Sequence, residues 1–573
     1  MVSNQEISKI LYEIGKYLEI KNVPFKPQAY EKAAYSVENL EEEISEIYKK
    51  GGLKAVEDIP GVGISIAEKI KEFIKTGRLK YYEKLKKSFP VKIGELSAIE
   101  GVGPKMIYTL YKKLGVKNLS ELERVAKSGK IAKILGFGKK TEEKILKGIE
   151  FLKKSGGRFL LGVVLVAARA IENQLRNLKE VDRVEVAGSL RRMQETIGDL
   201  DFLITSKKSA KVTEFFVNMP EVSHIYSTGP TKTMVRLKNG MDADLRVVPD
   251  KSFGAALQYF TGDKRHNITL RVLAEKKGYK LNEYGLWRGK KLIAGRTEEE
   301  IYKALGMSTP PPEIRNDSGE IQAVLKNKLP KLISYGDIKG DLQVTTNWTD
   351  GENSIEEMAQ AASDAGLEYI VITDHTKSLA MTGGLDEKKL LKQMMEIDKI
   401  QSRIGGTKIK ILKGAEVNIM KDGSLDIKDE VLAKLDVVGI AVHSHFNLSR
   451  IEQTARIIKA MQNKYADILF HPTGRLIQKR EPYDVDVEEI IKVAKKTRTV
   501  LEIDADPYRL DLKDEYIRKA VKAGVKLAID TDAHSKNSFY YLEFGIAQAR
   551  RGWAKKSDII NTRPWPEMLK LLK

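Results

Sequence analysis

Two aspartates one residue apart on a short apolar strand form the clearest chemical pattern in this sequence. They are Asp199 and Asp201, within the segment VEVAGSLRRMQETIGDLDFLI at 184–204. Because side chains alternate along a strand, both carboxylates project from one face. Mg²⁺ suits such a pair, since it shares its oxygen ligands with substrate phosphates. Gly188 lets the backbone approach a phosphate, and the serine and two arginines that follow add donors, so the segment predicts a nucleotidyl-transfer site.

A third acid is available from a predicted hairpin. Residues 234–248 read MVRLKNGMDADLRVV, two strand-like runs joined by the turn-forming pair Asn239-Gly240. On the second run Asp242 and Asp244 share a face, and either could join the first two carboxylates. Alone, an Asp-x-Asp pair fits a solvated strand face equally well. The combination of GSLRR, GDLDFL and DADLR within one segment is far more specific.

Composition favours a polyanionic partner. The chain has 573 residues, a formal net charge of +20 and no cysteine, which suggests several domains and excludes disulfides and thiolate metal sites. Residues 1–160 hold 32 Lys and Arg against 21 Asp and Glu, so much of the excess charge lies there. The start, MVSNQEISKI, has no signal-peptide pattern, and no apolar run is long enough to span a membrane. The sequence therefore predicts a cytoplasmic protein that does not bind membranes.

Three turns of one type recur in the helical N-terminal part. They lie in IPGVGISIAEKIKEFIKTG at 59–77, IEGVGPKMIYTLYKKLG at 99–115 and ILGFGKKTEEKILKGI at 134–149. Each Gly-x-Gly turn opens a helix whose free backbone N–H groups can hold a phosphate. A purely structural helical array is the alternative. We interpret the turns as helix-hairpin-helix elements that bind the DNA backbone without reading sequence, through Gly61, Gly63, Gly101, Gly103, Gly136 and Gly138.

The segment SFGAALQYFTGDKRHNITLR, which begins at residue 252, could line a nucleotide pocket. Its aromatic residues would lie against the sugar and base, and its last arginine towards a template. By itself the segment fits a helix with a turn equally well. The proline-rich stretch at 308–317 marks a boundary.

From about residue 336 the pattern alternates between strands and helices. Apolar runs at 369–373, 409–417, 437–442, 468–470, 500–505 and 526–530 predict a parallel α/β barrel with its functional groups at the strand ends. The potential metal ligands lie there: Asp374, His375, Glu416, His443, His471, Asp532 and His534. A single histidine at a strand end is usually structural, but this repeated placement predicts a polynuclear metal site.

The motifs GSLRR, GDLDFL, DADLR and YFTGDKRHNITLR resemble those of the family X DNA polymerases, small gap-filling repair enzymes. The resemblance covers residues 1–316. It implies two Mg²⁺ or Mn²⁺ ions held by Asp199, Asp201 and Asp244, with Ser189 and Arg192 on the triphosphate and close-approach glycines at Gly188 and Gly198. It also implies a sugar-discriminating turn at Tyr259, Phe260 and Gly262, a base contact from Asn267 and a template contact from Arg271. Asp242 is then only a neighbour.

The first 90 residues resemble the deoxyribose-phosphate lyase domain of that family. The position that matches the Schiff-base lysine is Lys69, with Lys26 and Tyr30 elsewhere in the pocket. A surface lysine beside a phosphate-binding hairpin would look the same. The pocket departs from the family pattern at Phe25 and Tyr81, where relatives have histidine and lysine.

Residues 336–573 resemble the polymerase-and-histidinol-phosphatase (PHP) domain, on the motifs HPTGRLI, LEIDADPYRLDL and DTDAHS. In that family it is a trinuclear metallo-phosphoesterase with 3′→5′ exonuclease activity. The first motif, DLQVTTNWTDG, has Gln343 and Thr345 in place of the family's two histidines, and both are poor ligands for a transition metal. Two of the three metal positions could still hold Zn²⁺ or Mn²⁺ through Asp350, His375, Glu416, His443, His471, Asp532 and His534. A weakened or lost nuclease is expected.

Together these patterns predict a multidomain chain. Its parts are a lyase-like helix-hairpin-helix domain at 1–90, fingers at 91–157, an α+β nucleotidyltransferase palm at 158–250, a thumb at 251–316, a linker at 317–335 and a distorted, TIM-like PHP barrel at 336–573. The leading functional hypothesis is a monomeric, template-directed polymerase that uses dNTPs to fill gapped or primer-template DNA in base excision repair. The alternatives are a nuclease dominated by the C-terminal domain, a non-catalytic DNA-binding scaffold and an untemplated nucleotidyltransferase.

Overall fold

The structure is a computed structural model that describes residues 4–21, 23–38, 40, 43–97, 99, 102–154, 157–404 and 409–573. The chain divides into two compact units. The first is Met1–Gly157 together with the short segment Gln478–Arg480, and the second is Arg158–Ile477 with Glu481–Lys573. Within the described residues, no helix combines the length and apolar character needed to cross a membrane.

The first unit is helical. Its helices are α1 Asn4–Ile20, α2 Lys26–Glu38, α3 Ile44–Glu57, α4 Ile64–Thr76, α5 Lys80–Ser88, α6 Ile93–Ser97, α7 Pro104–Leu114, α8 Leu119–Lys127 and α9 Lys139–Lys154. Apolar residues at helical spacing supply one continuous core that runs from Ile7 to Ile149. That core crosses the predicted lyase–fingers boundary, so the two segments fold around shared apolar residues.

The second unit begins with the segment predicted to be the nucleotidyltransferase palm, which is called the palm below. A five-stranded sheet has the order β2-β4-β7-β6-β5. Its elements are β1 Phe159–Leu160, α10 Leu161–Arg176, β2 Arg183–Val186, α11 Gly188–Arg191, β3 Thr196–Ile197, β4 Asp199–Thr205, α12 Ser209–Val217, β5 Val222–Ser227, β6 Lys232–Leu237 and β7 Asp242–Val247. The β6–β7 hairpin turns at the predicted Asn239-Gly240. The run FLLGVVLVAA is not helical throughout, because Phe159 and Leu160 pair with Ile197 and Thr196 before the helix begins.

The thumb follows in the same unit. It comprises α13 Phe253–Thr261, α14 Lys264–Lys276, β8 Lys280–Asn282, β9 Gly285–Arg288, β10 Lys291–Ala294, α15 Glu298–Ala304 and α16 Glu320–Leu325. Helix α16 lies in the stretch predicted as a linker. Its Ile321 and Val324 are buried in the thumb core, so this stretch packs as part of the thumb.

The C-terminal domain is a ring of seven parallel strands in sequence order, β11 to β17. The strands are β11 Gly340–Val344, β12 Tyr369–Ile372, β13 Lys410–Asn418, β14 Val437–Ala441, β15 Ile468–Leu469, β16 Val500–Asp504 and β17 Leu527–Asp530. The helices are α17 Ile355–Asp364, α18 Glu387–Arg403, α19 Asp429–Leu432, α20 Arg450–Met461, α21 Val487–Thr497, α22 Asp514–Ala523, α23 Leu542–Arg551 and α24 Trp565–Leu569. Hydrogen bonds between the end of β11 and Ala533 bring the first strand against the segment that follows the last. The predicted TIM-like barrel is therefore present and nearly closed.

Palm and barrel share part of one hydrophobic core. Leu510, Phe544 and Ala547 of the barrel domain pack with the buried palm residues. At this contact a Cβ on Gly162 would lie 2.6 Å from the Cβ of Pro507. A larger side chain at Gly162 would force the palm helix α10 away from the barrel domain.

Candidate active sites

Parallel pairing of β4 with β7 brings the acidic residues of the palm together. Asp201 is directly opposite Asp244 in the register, and Asp199 is opposite Asp242. The Asp201 side chain is half-buried, and this partial burial together with the charges of Asp199 and Asp244 raises its pKa to about 7. A divalent cation would neutralise the charges that these three neighbouring carboxylates bring together. The donor set therefore fits Mg²⁺ or Mn²⁺.

Asp242 has a different partner. Arg236 on β6 donates from Nε to Oδ1 at 2.6 Å and from Nη2 to Oδ2 at 2.9 Å. This hydrogen bonding lowers the pKa of Asp242. A carboxylate that a bidentate guanidinium already neutralises is a poor candidate for a metal ligand. Asp244, by contrast, has Lys232 Nζ at 3.5 Å as its nearest cation among the described residues.

Gly188 is needed for space around the carboxylates. It begins α11 with a positive φ of 66°, and a Cβ there would lie 2.4 Å from Oδ2 of Asp201. Any other residue would push the Asp201 carboxylate out of place. Ser189 follows on α11, at the same end of the sheet, and Gly198 lies immediately before Asp199.

Arg192 is positioned for an anionic ligand. Its Nη1 donates to the carbonyl oxygen of Thr261 at 2.6 Å, while its buried Nε has no partner among the described residues. Burial lowers the pKa of Arg192, and the nearby Asp263 opposes that shift. An incompletely satisfied guanidinium beside the acidic cluster suits a phosphate.

Arg191 has a structural role instead. Its guanidinium donates to both oxygens of Glu298 at 2.8 and 2.9 Å and to Thr261 Oγ1 at 2.8 Å. The buried Arg315 also pairs with Glu298. These ion pairs connect α11 of the palm to the thumb. Residue composition alone does not predict this contact.

Acid should weaken this cluster. Burial by itself would raise the pKa of Glu298, but Arg315 and Arg191 outweigh that effect and lower the pKa to about 2. A lowered folded-state pKa contributes stability that is fully present above the unfolded value, near 4.5, and is lost as the pH falls towards 2. The shift corresponds to about 3 kcal/mol. Thermal unfolding of the protein and its Glu298→Gln variant should therefore differ most above pH 5 and converge in acid; a constant difference would contradict this.

The turn between α13 and α14 carries the predicted nucleotide contacts. Asn267 Nδ2 donates to the carbonyl oxygens of Tyr259 and Gly262 at 2.7 and 3.0 Å, and its Oδ1 accepts from Gln258 at 2.8 Å. A Cβ on Gly262 would lie 2.5 Å from that oxygen. Asn267 therefore fixes the shape of the turn. Arg271 is exposed one turn further along α14.

The turn also reaches the carboxylates. Arg246 on β7 has its guanidinium carbon 4.4 Å from the centre of the Phe260 ring, and its Nη2 lies 3.9 Å from Asp244 Oδ2. The rings of Phe260 and Tyr259 meet edge to face at 5.2 Å. The structure thus brings the aromatic turn and Arg192 to the acidic face of the palm.

The three Gly-x-Gly turns of the first unit share one backbone hydrogen bond. The amide of the residue between the glycines donates to the isoleucine carbonyl three positions earlier, from Val62 at 3.0 Å, Val102 at 3.0 Å and Phe137 at 2.9 Å. Gly61 and Gly136 have φ of 79° and 89°. Gly63 and Gly103 are the N-caps of α4 and α7, and the carbonyl of Gly138 starts α9. Gly101 lies outside the described residues.

Lys69 lies in a small cluster on α4. Its Nζ donates to the carbonyl and hydroxyl oxygens of Ser65 at 2.8 and 2.9 Å and lies 5.2 Å from the Tyr81 ring centre. Burial, with the charge of Lys26, lowers its pKa. Tyr30 is buried nearby, whereas Phe25 is 85% exposed with a φ of 62°. Lowered basicity is what an amine nucleophile needs.

Two groups of possible metal ligands meet in the barrel. Asp350, His375 and His534 form one, and His375, Glu416 and His443 form the other, with the ligand atoms of each group within 4.8 Å of one another. His471 Nε2 lies 2.8 Å from Glu416 Oε1, and Asn418 Oδ1 lies 2.8 Å from Nδ1 of His443. These residues fit Zn²⁺ or Mn²⁺. Asp374 belongs to neither group, because its carboxylate accepts hydrogen bonds from Thr346, Thr349 and Gln393.

The two substituted positions do not fit a transition metal. Gln343 and Thr345 are buried, and their side-chain polar atoms have no partner among the described residues. Nearby, Arg509 Nε lies 3.6 Å from Asp532 Oδ2 and 3.4 Å from Asp504 Oδ2. A guanidinium therefore supplies positive charge beside Asp532. The residue pattern does not single out Arg509, because Asp532 follows a different strand, β17.

Known families match most of the chain in sections. A helix-hairpin-helix domain model matches residues 2–79, and a SAM-like helix-hairpin-helix tandem model matches 93–150. A DNA polymerase beta thumb model matches 256–316, and a PHP domain model matches 341–506. These matches confirm the predicted order of helix-hairpin-helix elements, thumb and PHP domain.

Individual relatives extend the match to the whole chain. The "DNA polymerase/3'-5' exonuclease PolX" of Bacillus subtilis is 36% identical over 574 residues, which covers 99% of both chains. DNA polymerase lambda of Rattus norvegicus is 24% identical over 343 residues, 55% of this chain and 56% of that one. A probable phosphatase of Thermoanaerobacter sp. is 34% identical over 220 residues, 37% of this chain and 84% of that one. From the full-length match, the chain belongs to the family X DNA polymerases that carry a C-terminal PHP domain.

Proposed function

We propose that this protein is a template-directed DNA polymerase that fills short gaps during base excision repair. The observation that carries the proposal is the registered set of Asp199, Asp201 and Asp244 on neighbouring palm strands. A non-catalytic scaffold would not need three carboxylates held against one another. A full-length relative named as a polymerase supports the same reaction.

The palm residues have distinct parts in this proposal. When bound, divalent cations would lower the pKa of the primer 3′-hydroxyl and stabilise the leaving pyrophosphate. The three aspartates would hold Mg²⁺ or Mn²⁺. Ser189 and Arg192 would orient the triphosphate, while the turn at Tyr259, Phe260 and Gly262 would bound the sugar. Asn267 would contact the base while its hydrogen bonds hold that turn in shape. Arg271 would face the template.

The helix-hairpin-helix turns bind the DNA backbone in this proposal. Their exposed helix N-termini and nearby lysines suit phosphates of either strand. In this proposal a monomer binds gapped or primer-template DNA and dNTPs in the cytoplasm. Incorporation requires the template base, which distinguishes this enzyme from an untemplated nucleotidyltransferase.

Extension across a one-nucleotide gap tests this function. The substrate is a duplex with a 5′-phosphate at the gap, given each dNTP separately with Mg²⁺ or Mn²⁺. We expect only the nucleotide complementary to the template base to be added. A parallel reaction without nucleotides reports primer shortening. Shortening without extension, or addition of all four nucleotides at one rate, would contradict the proposal.

The PHP domain, in the same proposal, is a weakened or lost nuclease. The two groups around Asp350 and Glu416 can still hold metal, but the position that relies on Gln343 and Thr345 lacks both imidazoles. A nuclease dominated by the PHP domain is the alternative. Robust Mn²⁺-dependent 3′→5′ degradation that His443→Ala abolishes would favour that alternative.

Lyase activity is a second proposed function, supported by the lowered pKa of Lys69. Borohydride should trap the protein on an incised abasic site through a Schiff base, and Lys69→Ala should lose the trapped product because the amine nucleophile is gone. Lys71→Ala is the matched control, since that side chain is on the same helix and pairs with Glu68 at 3.1 Å. Equal trapping in both variants would argue against Lys69.

A further inference from the structure

The loop between Arg192 and Asp199 has an anchor that no part of the polymerase reaction explains. Glu195 is near its centre, with only 15% of the side chain exposed. Arg475 donates to its two carboxylate oxygens, from Nη1 at 3.0 Å and from Nη2 at 2.6 Å. Gln548 Nε2 donates to the same carboxylate at 2.9 Å, and Arg551 lies 3.7 Å away. All three partners belong to the PHP domain.

The partners are themselves held in place by the PHP domain. Arg551 pairs with Asp514 at 2.7 Å, and Gln548 Nε2 also donates to the carbonyls of Leu510 and Leu512 at 3.2 and 3.1 Å. The Arg475 guanidinium likewise donates to the Leu510 carbonyl. Glu195 therefore meets donors that are also hydrogen-bonded or ion-paired within the PHP domain.

The main chain of the loop is held as well. Arg551 Nη1 donates to the carbonyl of Met193 at 3.0 Å, and the Glu195 carbonyl accepts from the amide of Leu161 at 3.1 Å. Burial alone would raise the pKa of Glu195, but Arg475 and Arg551 outweigh that effect and lower the pKa to about 2. The carboxylate is thus ionised at neutral pH.

A purely adhesive role explains these contacts poorly. Palm and barrel already share an apolar core at Leu510, Phe544 and Ala547, and buried ion pairs add little net stability compared with apolar contacts. A second palm–PHP pair, Arg169 with Glu543, is more exposed and lies on helix α10, away from the loop. The buried pair is found where the chain passes from a triphosphate ligand to a metal ligand.

We propose that Glu195 is a positioning residue through which the PHP domain holds the polymerase loop, so that Arg192 and Asp199 keep their places. The inference rests on the proposed polymerase function. It gives the PHP domain a role that does not depend on nuclease activity, and it fits a domain whose barrel is intact while two of its expected metal ligands are replaced.

The test measures single-nucleotide gap filling by the full-length protein and its Glu195→Gln variant. Because misplacement by about 1 Å can cost about a hundredfold in rate, we expect kcat to fall by roughly ten- to a hundredfold, and excess dNTP should not restore it. The Kd for gapped DNA should stay close to that of Arg169→Met, the control that removes the other palm–PHP pair. The Tm of Glu195→Gln should fall further than that of Arg169→Met, because Arg475 is left buried without its charged partner, so kcat is measured well below that Tm.

A double-mutant cycle separates positioning from general destabilisation. Arg475→Met should lower kcat as Glu195→Gln does, and the double variant should be no worse than either single one, because both remove the same link. Arg169→Met should combine additively with each. Gln548→Met removes one hydrogen bond to the carboxylate and should give a smaller loss of kcat; it replaces the other variants if they do not fold.

Two outcomes would overturn the inference. Wild-type kcat in Glu195→Gln, or a loss no greater than that of Arg169→Met, would show that the loop does not need the anchor. Asp201→Asn, measured beside them, distinguishes the failures. If that variant is inactive while Glu195→Gln is normal, only this inference fails; if both are normal, the proposed polymerase site fails as well.

Discussion

Asp201→Asn is expected to abolish nucleotide incorporation while leaving DNA binding nearly unchanged. Asp201 lies two residues from Asp199 on β4 and directly opposite Asp244 on β7, and its raised pKa reflects burial and their charges. Losing one charged ligand of a two-metal site removes several kcal/mol of transition-state stabilisation, or roughly a thousandfold or more in rate. DNA affinity depends on phosphate contacts made elsewhere. Gap filling and equilibrium DNA binding measure the two effects separately.

Asp242→Asn is the matched control. It makes the same chemical change at the register position paired with Asp199, on the same face of the same sheet. Because Arg236 already occupies the Asp242 carboxylate, this variant should retain most of the activity. Inactivity in both variants would indicate damage to the sheet, and activity in Asp201→Asn would remove the metal assignment.

Restoring the two missing histidines should change the PHP domain more than any loss-of-function variant. The double variant Gln343→His/Thr345→His would add two imidazoles beside the segment that carries Asp532, since the main chain of both residues bonds to Ala533. Imidazole binds Zn²⁺ and Mn²⁺ far better than an amide or a hydroxyl does. We expect about one more equivalent of metal per chain after dialysis, measured by elemental analysis. We also expect Mn²⁺-dependent shortening of a primer 3′ end that the unmodified protein performs weakly or not at all.

Two physical costs limit that gain. Thr345 is buried, and a larger side chain there costs about 1–3 kcal/mol of stability. Arg509 already contributes positive charge beside Asp532 and would compete with an added cation. Gln343→His alone should therefore bind metal more weakly than the double variant, and adding His443→Ala should remove the new nuclease activity. A folded double variant with unchanged metal content would refute the expectation.

Much of the architecture could be predicted from local patterns. Alternation over GDLDFLI and the Asn239-Gly240 turn predict the strand and hairpin of the palm, and both are present. The Gly-x-Gly turns repeat with one hydrogen-bond geometry because each depends on only five consecutive residues. The C-terminal apolar runs predict every barrel strand except β11, because Asp341 and Gln343 interrupt the apolar pattern of that strand, although both are buried.

Choices between neighbouring residues required the tertiary structure. The residue pattern alone left Asp242 and Asp244 equivalent, and Arg236 on the adjacent strand distinguishes them. The pattern also leaves Arg191 and Arg192 equivalent. Glu298 of the thumb distinguishes them, because it pairs with Arg191. Asp374 and His375 are adjacent in sequence, yet only the histidine faces the other ligands. In each case the deciding partner comes from another strand or domain.

Residues close together in the chain are therefore sufficient to predict the element order, the nucleotidyl-transfer motifs and the substitutions at Gln343 and Thr345. The tertiary structure decided which charged groups are already neutralised and which remain available for a ligand. It also brought Glu195 to Arg475, 280 positions apart in the chain. Charge pairing in a folded protein depends on distance in space, and only the packing of palm against barrel sets that distance.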